Sequence, residues 1–94
     1  MDKKYYDIQV LRDITVEIWD ELPSKLKQRL LSNIKGVRHV ALTYCSEDQL
    51  EKDQVVTIPI KQKVFVGIVK GEHTDALNEN IHYRDIHSIL DVSL

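Results

Sequence analysis

The sequence predicts an α+β fold: a small, strongly twisted, mainly antiparallel sheet or small barrel, carrying one clear amphipathic helix over about residues 23–35. Three observations predict it. Tyr6, Ile8 and Val10 alternate at period two in a stretch rich in β-branched residues. Leu26, Leu30, Leu31 and Ile34 form one helical stripe between Pro23 and Gly36. Two apolar runs, residues 54–60 and 63–70, are separated only by Lys61-Gln62, the spacing of a hairpin.

Taken in order, residues 5–21 start as a strand. Their second half stays open, because Ile14, Val16 and Ile18 alternate while Leu11, Ile14, Ile18 and Leu22 also fit one helical face. Pro23 suits the first turn of the helix that follows, and Gly36 suits its close. Residues 37–44 read as a strand. Ser46-x-x-Gln49 has capping-box spacing and predicts a single helical turn over residues 46–52. In the hairpin, Pro59 cannot donate to a ladder and should face an edge or a bulge. Gly67 marks a bulge or a close approach. Residues 71–80 are a polar loop, and 81–90 a last strand, with a short helix as the other option.

The 94 residues make one domain, 1–94, with 43% hydrophobic and 30% charged side chains. One cysteine, Cys45, excludes an internal disulfide, and an unstapled domain of this size suits a reducing, cytoplasmic setting. No apolar run is long enough for a membrane span, nor does one follow Lys3 and Lys4 as in a signal peptide. Net charge is −2, which argues against a generally basic nucleic-acid binder. The charge is segregated, however. Residues 23–44 carry five basic and no acidic side chains, and residues 55–71 carry only Lys61, Lys63 and Lys70. Either these segments make a basic face, or they pair in space with acidic ones.

No catalytic constellation is present. The four histidines and Cys45 lack metal-ligand spacing, and no motif calls for a cofactor. Cys45 reads as a small buried thiol rather than a nucleophile paired with His39. Trp19 is either core or an interface anchor. Tyr5 and Tyr6, beside Lys3 and Lys4, are either a binding pair or the start of an edge strand.

Residues 48–87 carry a further pattern: Lys52, Asp53 and Pro59, then Gly67, Val69 and Gly71, then His82 and Arg84. This resembles the PUA- or EVE-like β-barrel module at the front of Mrr-type restriction and related defence proteins. The chain departs from that pattern where Lys52 replaces a glycine before Asp53, and it has no nuclease domain. The resemblance implies an SH3/PUA-like barrel that holds nucleic acid. It also implies that Gly67 and Gly71 let the barrel bend and leave room near the site, and that His82 and Arg84 project to one face.

Two functional readings follow, neither catalytic. In one, a binding module presents Lys61, Lys63, Lys70, His82 and Arg84, with Lys25, Lys27 and Arg29 of the helix, to nucleic acid in a restriction or defence context. In the other, the chain is a homo-oligomeric interaction or regulatory protein, a homodimer or part of a larger assembly. Its contacts would run through Tyr5, Tyr6 and Trp19.

Overall fold

The computed structural model describes residues 3–32 and 38–90. Strand β1 spans Lys4–Thr15, helix α1 Val16–Glu21 and helix α2 Ser24–Ser32. Strands β2 (His39–Ser46), β3 (Val55–Ile60), β4 (Lys63–Glu72) and β5 (Ser88–Ile89) follow. They form one sheet in the order β2-β1-β4-β3-β5, every pairing antiparallel. The sheet-dominated α+β class is therefore as the sequence predicts.

The open second half of residues 5–21 divides at Thr15. Its Oγ1 accepts from Ile18 N at 3.4 Å, so Thr15 caps α1 and ends the strand, and Glu17 in the first turn suits the helix dipole. Pro23 stands just outside α2, its carbonyl accepting from Lys27 N at 3.1 Å. Leu30 and Leu31 pack inward as the stripe requires, but Leu26 is 42% exposed. Ile34, Lys35 and Gly36, the expected helix end, and Val37, the expected strand start, lie outside the described residues.

Two expectations need correction. No helical turn forms at residues 46–52. Instead Ser46 Oγ accepts from Asp48 N two residues on, and Leu50 is buried with its N–H donated to Tyr6 Oη at 3.1 Å. The last strand is also shorter than expected, with Ile81 and Tyr83 outside it.

Side-chain alternation gives the sheet two buried faces. Tyr6, Ile8 and Val10 of β1 meet Tyr44, Leu50, Val56, Ile58 and Val69 on one face. Leu11 and Ile14 meet Trp19, Val55, Val66 and Ile68 on the other, under α1 and α2. Gly67 lies in the first core, at a close approach and beside a shift in the β1–β4 register. A Cβ there would come within 2.6 Å of Ile8 Cγ2 and 3.2 Å of Ile58 Cγ1, so Gly67 leaves no room for a ligand. The β1–β4 ladder is irregular in two places: Lys70 is extra between the Asp7–Gly71 and Ile8–Val69 pairs, and the register shifts again between Val10, the partner of Gly67, and Thr15.

The sheet curls strongly. Tyr44 Oη on β2 donates to Pro59 O on β3 at 3.2 Å, although β1 and β4 lie between those strands in the sheet order. Residues 84–90 run from one outer strand to the other. Cys45 N donates to Arg84 O at 2.9 Å and Ile86 N to Cys45 O at 3.0 Å. His87 N then donates to Thr57 O at 2.8 Å and Leu90 N to Val55 O at 2.9 Å. Pro59 lies beyond the β5 pairing, which reaches only Val56 and Thr57, so its missing N–H leaves no gap in a ladder.

Candidate nucleic-acid interface

Where the curled sheet opens, two cavities of about 490 and 320 Å³ meet at Leu42. The larger has an apolar lining of Val10, Val40, Leu42, Ile60 and Phe65, with Arg12 at its edge. The smaller lies between β2 and residues 81–84, and includes Tyr44, His82, Tyr83 and Arg84. Among the described residues neither lining holds a carboxylate. Arg84 is fixed through its backbone by Cys45 N, and its charge reaches Tyr44: burial pushes the Tyr44 hydroxyl up, and Arg84 pulls it the other way. Tyr83 is held by an edge contact with Tyr5, ring centroids 5.4 Å apart, and its hydroxyl accepts from Asn78 N at 2.9 Å.

The basic residues singled out in the sequence fall into separate places. His82 and Arg84 are exposed on the cleft. Lys61 and Lys63 occupy the tip of the β3–β4 hairpin, next to Ile60 of the same cleft. Lys70 sits near the other end of β4, beside a different cavity. Lys25, Lys27 and Arg29 are on α2, which covers the opposite face, and Lys27 Nζ stands 5.5 Å from the Trp19 ring centre. Among the described residues none of these cations is ion-paired with a carboxylate. Lys3 pairs with Asp85 and Arg38 with Asp13, and His73 Nδ1 shares a hydrogen bond with Asp7 Oδ1 at 2.7 Å. Pairing in space therefore accounts for Arg38 but not for the lysines and arginines named above.

Tyr6 and Trp19 are enclosed by their own chain, 2% and 3% exposed, while Tyr5 is half-buried against Tyr83. Cys45 is buried, its Sγ donating to Asp85 Oδ1 at 3.2 Å. Burial first, then that carboxylate, pushes its thiol above the ordinary value. No cluster of three metal-ligating side chains occurs among the described residues. No helix among them is long and apolar enough to cross a membrane.

Arg12 was not among the residues the sequence singled out. It follows Tyr6, Ile8 and Val10 at period two, so it is the first charged side chain on a core-facing row. That interruption was a readable signal. Phe65, Leu42 and Ile60 look like ordinary core residues in the sequence, and only the strand order gathers them at an opening. No protein-family profile, curated protein or solved structure matches this chain.

Proposed function

We propose that this chain is a small non-catalytic binding module, whose sheet is closed into a barrel by residues 84–90 and whose cleft takes nucleic acid. One observation carries the proposal. On a chain of net charge −2, an apolar cleft with aromatic walls is edged by Arg12, His82 and Arg84 and holds no carboxylate among the described residues. An unpaired base would lie against Phe65 and Leu42, and the arginines would meet the flanking phosphates. Lys61 and Lys63 extend the same positive edge, whereas Lys25, Lys27 and Arg29 belong to a different face and are outside this contact. Single strands suit the cleft better than duplex, because an apolar floor accepts only a base that is already unstacked. The resemblance of residues 48–87 to the barrel module of restriction and defence proteins points the same way.

Fluorescence anisotropy with labelled single- and double-stranded DNA and RNA, at two salt concentrations, tests this. The expected result is single-strand binding that weakens with salt. The double change Arg12→Ala and Arg84→Ala should lower the log–log salt slope by about 0.7 for each phosphate that is no longer neutralised. No binding at low salt overturns the proposal. Sedimentation in the same buffer would then test the homo-oligomer reading, whose exposed apolar contacts are Ile18 and Leu26 rather than the enclosed Trp19 ring.

A further inference from the structure

On the helix-covered face of the sheet, away from the cleft, a second cavity of about 400 Å³ lies between β1, β4 and the end of α2. Gln9 lines it. This side chain sits on the buried row of β1 with Leu11, paired across the ladders with Ala41 and Ile68, and is only 5% exposed. Its amide has no hydrogen-bond partner among the described residues, and yet no buried polar side-chain atom among them is left unsatisfied. The Gln9 amide atoms therefore keep some surface, and the residue lines the cavity. Gln9 thus sets a solvated donor and acceptor into an otherwise buried row, where an apolar side chain of similar size would fit.

The rest of the lining has a definite chemistry. Leu31, Ile68 and Val69 are apolar, His39 of β2 also lines the cavity, and Lys52 and Lys70 add two cations without a carboxylate partner among the described residues. Asp53 adds one carboxylate. Its position is set by the turn, with φ 71°, Asp53 N donating to Val69 O at 2.7 Å and Val69 N to Gln54 O at 2.9 Å.

We propose that this cavity binds a nucleoside monophosphate. The Gln9 amide offers a donor and an acceptor side by side, the complement of a heterocycle's amide or amidine edge. Leu31 and Ile68 flank the ring, the Asp53 carboxylate accepts from a ribose hydroxyl, and Lys52 and Lys70 meet the phosphate. The site is independent of the cleft and stands whether or not the cleft binds a strand.

The test is an NMR titration of the full chain with AMP, GMP, CMP and UMP, with the matching nucleosides and with inorganic phosphate. The Gln9 side-chain NH₂ signals should shift saturably with at least one monophosphate. Gln9→Leu should weaken that binding by about tenfold or more without lowering the melting temperature. Because a core change can disturb packing, the surface pair Lys52→Gln and Lys70→Gln serves as a second arm. It should abolish the preference for the monophosphate over its nucleoside. The proposal is overturned if no nucleotide moves the Gln9 signals, if Gln9→Leu binds as well as the parent, or if inorganic phosphate binds as tightly as any nucleotide.

Discussion

Lys61 holds φ 56° at the tip of the β3–β4 hairpin. That left-handed conformation costs an L-residue roughly 1–2 kcal/mol, and glycine avoids the cost. The same residue supplies positive charge at the edge of the cleft, so stability and binding pull in opposite directions here. Lys61→Gly should raise the unfolding free energy by about 0.5–1 kcal/mol, once the glycine's extra chain entropy is subtracted. It should also weaken single-strand binding. Urea denaturation and anisotropy on one preparation check both, and a variant that binds as well as the parent would take Lys61 out of the contact. Gly67 and Gly71 separate two reasons for glycine. A Cβ at Gly67 meets fully buried Ile8, so Gly67→Ala should cost about 1–3 kcal/mol through overpacking. A Cβ at Gly71 meets nothing within 4 Å, but φ is +154°, so Gly71→Ala is penalised by backbone strain alone. Relief of the Gly67 contact needs loss of Ile8 Cγ2, which valine retains, so Ile8→Ala should couple with Gly67→Ala and not with Gly71→Ala in a double-mutant cycle.

Among the elements, the strands were the most legible. β-Branched alternation and the short spacing in the hairpin place β1, β3 and β4 close to their observed positions. Helix α1 was not legible, because Ile14 and Ile18 fit both periods. The Thr15 cap decides between them, and Ile18 proves 44% exposed. Strand β5 was over-read, because Ile81 and Tyr83 mimic alternation in a stretch held by turns and by side-chain hydroxyls. The terminal stretch is instead held to β2 by a small polar latch. Lys3 Nζ lies 2.9 and 3.0 Å from the two Asp85 carboxylate oxygens, and Cys45 Sγ donates to Asp85 Oδ1. The Lys3 hydrogen bond, followed by that of Cys45, holds Asp85 below its ordinary 3.8, and the same Lys3–Asp85 bond holds Lys3 above its ordinary 10.5. The Asp85 contribution is therefore present above pH 3.8 and lost as pH falls through its lowered value. That of Lys3 is present below pH 10.5 and lost as pH rises through its raised value. Both groups are exposed, so the effect should appear as local release rather than global unfolding. The Ile86 amide resonance should titrate below pH 3.8 in the parent and not in Asp85→Asn. Identical titrations in both would show that the latch does not hold this stretch.

At the scale of the whole molecule, what remained hidden depends on distant strands meeting. Arg12 and Ile60 line one opening, and Gln9 and Lys52 another, only because β1, β2, β3 and β4 take a particular order, and local periodicity carries no information about order. The bridge between the outer strands is likewise a long-range property. Cys45 and Val55 are on strands separated by β1 and β4, yet one stretch of chain hydrogen-bonds to both. A closed barrel has no free edge, so its closing hydrogen bonds open only when the whole sheet opens. An open sheet frays at β2 and β5 independently of the centre. Native-state hydrogen exchange separates the two. If residues 84–90 close a barrel, the amides of Cys45, Ile86, His87 and Leu90 should exchange with one opening free energy, close to that of β1 and β4 residues such as Ile8 and Val69. Denaturant should raise their rates in parallel with the core. If the four amides exchange faster than the core and without denaturant dependence, the sheet is open. The cleft between β2 and β3 would then be a frayed edge rather than the mouth of a preorganised site, and the affinity expected of it would fall accordingly.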